Sequence, residues 1–169
     1  MTRLAVAIWP PSDVLTVLSG LDRPPLPGVL WSEPAQWMVK IRPLGHVDPS
    51  LVPPLVGALD DALDGAPPVT CELGPVTRRL GGQWLGAPVT GLDELAAAVF
   101  EATEPLVPVT HPQPFSADVV LARGRVSADL AGQPVRARWT AIQVALVADR
   151  SSPRAARFQD LAVVELSLG

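Results

Sequence analysis

The amino-acid sequence predicts an α+β domain built of two halves of similar content. Strand-like and helix-like segments follow one another in the order strand, helix, strands, helix, strands, helix, strands. Two stretches, residues 36–45 and 114–123, share a strand-like pattern although they are distant in the sequence. Met38 in the first stretch and Asp118 in the second are 80 residues apart, which suits an internal pseudo-repeat.

Length and composition favour one globular domain that spans residues 1–169. The chain is long enough to bury a sizeable core and too short for two ordinary domains. Hydrophobic residues make up 48% of it and charged residues 18%, and no apolar run approaches the roughly 18 residues of a membrane helix. The first strand candidate follows the initial Met1 without a basic and apolar leader, so we expect a cytoplasmic protein that does not contact a membrane.

Charge and cysteine content exclude two kinds of site. A formal net charge of −4 argues against a broad nucleic-acid surface, which needs a basic field, but leaves room for a local phosphate pocket. Cys71 is the single cysteine, and it has no Cys or His neighbour at the spacing of a zinc cluster. We therefore expect no disulfide, metal or cofactor, and we interpret Cys71 as a small buried hydrophobe.

The first half begins with an apolar run at 3–9, which predicts a buried strand. Prolines and polar residues at 10–13 favour a helix start, and Gly20 is suited to end that helix. A proline-rich loop at 22–28 then leads to a short strand at 29–32.

The central strand of this half is predicted at 36–45. Alternation of side chains places Met38, Lys40 and Arg42 on one face of it. Lys40 is the only lysine in the chain, and it lies between hydrophobic residues where burial normally excludes a charge. Its position therefore indicates a specific role or a paired charge.

A second helix is predicted at 48–63, because Asp48 and Pro49 suit its first positions and leucines recur on one face. Pro53 and Pro54 should confine its regular part to later residues.

The remaining elements follow the same pattern. Segments 68–76 and 83–89 predict a strand pair, and an alanine-rich helix follows at 92–103. After the partner strand at 114–123, one long strand is predicted at 135–148 and a last strand at 158–168.

The order and spacing of several short features resemble the 2H phosphoesterase family, specifically the bacterial RNA 2′,3′-cyclic phosphodiesterases that are also called 2′-5′ RNA ligases. The resemblance covers nearly the whole chain, and it rests on residues 3–8, Trp31 with Pro34, residues 37–48, Pro114-Phe115 before residues 121–123, and the ending 151–161. It implies two pseudo-symmetric lobes whose antiparallel sheets face a central cleft, with helices on the outside. Each lobe of the family supplies one His-x-Thr motif to that cleft.

Both motifs are replaced in this chain. In the family's chemistry one imidazole acts as general base, the other protonates the leaving oxygen, and the threonines hold the phosphate. The matching positions here are Met38-Val39-Lys40 and Asp118-Val119-Val120, so none of the four side chains is present. His46 and His111 do not restore the motif in another register. The resemblance therefore implies a phosphodiesterase fold that has lost its paired acid and base.

Four residues form the predicted ligand-binding set. Lys40, Arg42 and Arg123 could hold an anion, and Arg123 matches an arginine that contacts substrate phosphate in the family. Asp118 shares a strand face with Val120, and we predict that it pairs with Lys40 across the cleft when no ligand intervenes.

Three functions remain open. The first is an inactive, monomeric protein that binds a nucleotide, an RNA terminus or another phosphate-bearing ligand in the cleft. The second is a structural or protein-interaction module whose cleft is closed by the pair Lys40–Asp118, and the third is a phosphoesterase with altered catalytic residues such as Asp118.

Overall fold

A computed structural model describes residues 1–109 and 111–167 of the chain. Its α-helices in this part of the chain are α1 (Ser12–Ser19), α2 (Val52–Leu63) and α3 (Asp93–Thr103). Its strands there are β1 (Thr2–Ile8), β2 (Val29–Trp31), β3 (Val39–Val47), β4 (Val69–Leu73), β5 (Arg78–Leu80), β6 (Trp84–Thr90), β7 (Ala117–Gly124), β8 (Ala137–Ala141), β9 (Gln143–Asp149) and β10 (Phe158–Glu165). Leu168, the predicted end of the last strand, lies outside the described residues.

The strands form two antiparallel groups, one for each half of the molecule, and each group combines strands from both parts of the sequence. The first group has the order β10-β9-β1-β3, so the last two strands return to pair with the first. The second group has the order β7-β6-β4-β8, with β2 added to β7 and β5 added to β6. This arrangement confirms the two-halved α+β fold that the sequence predicts.

The two groups meet at one residue pair. Val39 of β3 is paired with Val119 of β7, and both side chains are fully buried. We expected two separate sheets, but this pair joins them edge to edge into one curled sheet. The cleft is therefore the concave face of that sheet.

The main core lies on the face of the sheet that the helices cover. Leu55, Leu59 and Leu63 recur along α2 and are fully buried, as the apolar face of an amphipathic helix should be. Val6 and Ile8 of β1 belong to the same core. Within the described residues, no helix is long and apolar enough to cross a membrane.

Two expected elements differ from the structure. Pro53 and Pro54 lie inside the first turn of α2 and do not delay it, since the backbone N–H groups of a first turn have no helical partner. The single strand expected at 135–148 is two strands, β8 and β9, that belong to opposite halves. The chain crosses between the halves at Ile142, which is 57% exposed.

Candidate functional site

An open cleft of about 1440 Å³ lies on the concave face of the sheet and is lined by both halves. Both motif stretches reach it, because the pairing of Val39 with Val119 brings residues 38–40 beside residues 118–120. In this antiparallel register, Lys40 lies level with Asp118 and Met38 lies level with Val120. The structure thus brings the predicted motif positions together.

Met38 forms part of an apolar floor at one side of the cleft. Its side chain is 5% exposed and packs with Ala7, Ala145 and Val147, apart from the main core. Trp9 and Phe158 pack against this cluster in an edge-to-face contact with ring centroids 6.5 Å apart. A thioether in this environment cannot transfer a proton.

Asp118 forms a two-point ion pair with Arg78. The Nε of Arg78 donates to Oδ1 at 3.0 Å and its Nη2 donates to Oδ2 at 2.8 Å, while Nη2 also donates to Ser116 Oγ. The carboxylate side chain is only 8% exposed, and the bonds to it raise the pKa of Arg78. Each oxygen of the Asp118 carboxylate therefore accepts a hydrogen bond from the guanidinium of Arg78.

The predicted pair of Lys40 and Asp118 is wrong. Among residues 1–109 and 111–167 these two side chains form no ion pair, and the carboxylate turns to Arg78 of β5 instead. The negative charge of Asp118 is thus compensated by the positive charge of Arg78, which belongs to the same half of the molecule.

Gly86 makes the contact between Arg78 and Asp118 possible. On β6, Gly86 lies between its partners Arg78 of β5 and Val120 of β7. A Cβ atom at this position would lie 2.9 Å from Asp118 Oδ1 and 3.0 Å from Asp118 Cβ. The missing side chain lets the guanidinium of Arg78 reach across β6 to the neighbouring strand.

Lys40 is exposed at the cleft wall of the other half. Partial burial lowers the pKa of its ammonium, the positive charge of Arg3 lowers it further, and Asp149 opposes both effects. Arg3 and Asp149 are partners on β1 and β9, so they lie on the same face of the sheet. Lys40 is thus incompletely solvated and is acted on by one positive and one negative neighbour.

Arg42 lines the cleft, but other groups of the protein hold its guanidinium, and its ligand-binding role stays a prediction. It is 5% exposed, and its guanidinium donates to the Thr103 hydroxyl and to the Val107 carbonyl. Its Cζ also lies 5.0 Å from the ring centroid of Phe100. Burial lowers the pKa of Arg42, yet these contacts use the guanidinium to attach β3 to the end of α3.

Arg123 lies in a row of side chains that crosses four strands at one level. It pairs with Leu30 of β2 on one side and with Trp84 of β6 on the other, and Trp84 pairs with Leu80 of β5. All four line the cleft, where Leu30 is 59% and Trp84 is 42% exposed. We call these four residues the Arg123 row.

The two histidines lie in different places. His46 is on β3 at a small separate pocket that Arg3 and Asp149 also line, whereas His111 lines the cleft. No group of His, Cys, Asp or Glu in the described part of the chain could hold a metal ion.

Arg78, Gly86 and Trp84 are site residues that the sequence reasoning missed. Their only sequence signal is the turn-forming pair Gly81-Gly82, which predicts a hairpin between the segments on either side of it. The structure has a three-residue loop instead of a two-residue turn, and this loop pairs Arg78 with Gly86.

Several solved structures have the same fold. E. coli LigT complexed with 3′-AMP aligns with a TM-score of 0.83 at 18% sequence identity and covers 98% of both chains. TT0787 of Thermus thermophilus aligns with a TM-score of 0.81 at 18% identity over 97% of both chains. A structure described as a phosphoesterase gives the same score and identity over 99% of both. No protein-family model and no curated protein matches the chain. These likenesses confirm the LigT-like fold that the resemblance implied.

Proposed function

We propose that this chain, which has the LigT-like fold of 2H phosphoesterases, is a catalytically inactive protein that binds a phosphate-bearing nucleotide or RNA end in its cleft. The observation that carries the proposal is the Arg123 row, where an exposed guanidinium lies beside an exposed indole. A guanidinium can bind phosphate through two parallel hydrogen bonds, and an indole offers a face for a nucleobase.

The residues at the motif positions support binding without turnover. Met38 lies in an apolar cluster, and the carboxylate of Asp118 is occupied by Arg78. Loss of a general acid or base costs about 10²- to 10⁴-fold in rate for each group, so loss of both removes most of the family's catalysis. An altered phosphoesterase that uses Asp118 as its base is therefore less well supported than a binding protein.

The shape of the cleft favours binding over a closed interaction module. A closed cleft was expected to depend on a pair between Lys40 and Asp118, which the described residues do not form. LigT has been crystallised in complex with 3′-AMP, ATP, NADP⁺ and phosphate, so a protein of this fold can bind nucleotides. Stacking of one base on an aromatic side chain contributes about 1–3 kcal/mol.

Isothermal titration with 3′-AMP tests the proposal. We expect measurable binding that weakens at least 10-fold in Arg123→Met and also weakens in Trp84→Ala. The matched control is Arg138→Met, because Arg138 is 72% exposed on β8 and its ion pair with Glu72, at 3.9 Å, lies away from the cleft lining. Absence of binding, or equal losses in Arg123→Met and Arg138→Met, contradicts the proposal.

A turnover assay tests the second part. Incubation with adenosine 2′,3′-cyclic phosphate should give no ring opening above the buffer rate. Turnover that disappears in Asp118→Ala would show that the chain is an altered phosphoesterase instead.

A further inference from the structure

The wall opposite the Arg123 row carries a second group of basic side chains. Lys40 projects from β3 on the same face as Arg3 of β1, and the opposing charge that acts on Lys40 is that of Asp149. No ion pair occupies Lys40 in the described part of the chain. Its ammonium is therefore available to a negatively charged ligand in the cleft.

The loop between β9 and β10 adds to this wall. Arg154 and the two serines Ser151 and Ser152 line the same cleft as Lys40. The loop has a defined shape, because Ser152 and Ala155 form two backbone hydrogen bonds with each other, with N–O distances of 2.9 and 3.2 Å. It can thus present the guanidinium of Arg154 and the hydroxyl of Ser152 to the cleft that Lys40 also lines.

We propose that Lys40, together with Arg154 and Ser152, forms a second anion-binding subsite, so that the ligand of this cleft carries two separate phosphate groups. The inference rests on the proposed function, in which the Arg123 row holds the first phosphate. An anion at the second subsite would relieve the repulsion between Lys40 and Arg3 and would replace solvation that burial removes.

The spacing of the two subsites selects the class of ligand. Lys40 is level with Asp118, and Arg123 lies farther along β7 beyond a bulge at Leu121, which separates the two levels by roughly 14 Å along the strands. Side chains that extend straight into the cleft from these two levels would contact phosphates that lie farther apart than the neighbouring phosphates of a pyrophosphate. The ligand class is therefore a nucleotide with phosphates on opposite sides of a nucleoside, as in a nucleoside 3′,5′-bisphosphate or a dinucleotide.

Paired titrations test this inference. Adenosine 3′,5′-bisphosphate should bind the wild-type protein at least 10-fold more tightly than 3′-AMP does, and Lys40→Met should reduce that ratio to threefold or less. Arg138→Met is the matched control for loss of one positive charge, and it should keep the ratio. A ratio near one in the wild type, or the same reduction in both variants, overturns the second subsite while binding of 3′-AMP still supports the proposed function. Failure of both nucleotides to bind overturns both.

The single lysine permits a direct readout. Reductive methylation with ¹³C-formaldehyde labels only the amines of Lys40 and Met1, and it preserves the charge of each. The bisphosphate should shift the Lys40 methyl signal more than 3′-AMP does, at ligand concentrations that saturate the site. A Lys40 signal that the bisphosphate does not shift overturns the inference.

Discussion

The guanidinium of Arg78 reaches across strand β6 and binds both carboxylate oxygens of Asp118, at 3.0 and 2.8 Å. Only 8% of the Asp118 side chain is exposed, whereas 43% of the Arg78 side chain is. The pair is thus buried at one end and solvated at the other, and it includes one of the motif positions that were predicted from the sequence. Its energetics follow from this asymmetry.

Arg78→Met should destabilise the fold by about 1–3 kcal/mol. This range lies between the values for buried and for exposed ion pairs, because the Asp118 carboxylate would lose its partner while Arg78 is already half solvated. The double variant Arg78→Met/Asp118→Leu should recover most of the loss, since no unpaired carboxylate remains. Urea unfolding of the single and double variants measures the coupling. A loss no greater than that of Arg138→Met, whose pair with Glu72 is exposed, would contradict this account.

Gly86→Ala should destabilise the fold by about 1–3 kcal/mol, the usual cost of overpacking. The new methyl group would lie 2.9 Å from Asp118 Oδ1 and 3.0 Å from Leu80 Cδ1, so the carboxylate and the leucine must both move. Thermal or urea unfolding provides the measurement. Gly57→Ala is the matched control, because a Cβ there meets nothing within 4 Å and Gly57 lies inside α2. It should stabilise the protein by about 0.5–1 kcal/mol, and equal effects of the two changes would exclude steric crowding at Gly86.

The positions of the motif stretches could be predicted because they follow from alternation and from the repeat. Side-chain alternation in 36–45 and 114–123 assigns Lys40 and Asp118 to the cleft face, and the structure pairs Val39 with Val119 between them. Local patterns of this kind depend on neighbouring residues alone. They do not identify the partner of a charge.

The partner of Asp118 could not be predicted because it depends on three strands at once. Arg78 becomes a neighbour only through the registers of β5 on β6 and of β6 on β7, with a glycine between them. The division of 135–148 into two strands has a similar cause. Strand-like residues continue on both sides of Ile142, and only pairing with β4 or with β1 separates them.

Arg42 shows the limit of alternation itself. β1 and β3 have a register irregularity between Val6 and Ala7, and residues on either side of it no longer share one face. Arg42 consequently pairs with Val6, which is a core residue, and it lines the cleft with its guanidinium already bonded to Thr103 and Val107.

Arg42→Met should destabilise the fold by about 2–4 kcal/mol and leave binding of 3′-AMP unchanged. The change removes hydrogen bonds of a charged donor to Thr103 and Val107, each worth about 1.5–3 kcal/mol, but it also removes a buried charge. Arg42→Lys should restore little, because an ammonium cannot reproduce the planar geometry of the guanidinium. Urea unfolding and titration of the same samples give both values. Weakened nucleotide binding in the folded Arg42→Met protein would instead support the predicted ligand-binding role of this residue.

The thiol of Cys71 should make the stability of the protein fall as the pH rises above 9. Burial raises the pKa of this thiol from an ordinary value of 9.0 to about 11. Between these values the unfolded chain has released the thiol proton and the folded chain still holds it, so the free energy of unfolding decreases with pH by up to about 1.4 kcal/mol per unit.

The ammonium of Lys40 changes the free energy of unfolding with the opposite sign, because its pKa is lowered in the folded protein. The comparison of wild type with Cys71→Ala cancels that contribution, since both proteins contain Lys40. Urea unfolding at pH 8 to 11 should therefore show a steeper decline for the wild type, even though the alanine variant starts from a lower stability because it leaves a small cavity. Parallel declines for the two proteins would mean that the thiol titrates equally in the folded and unfolded states, and rapid alkylation of native Cys71 at pH 8 would lead to the same conclusion.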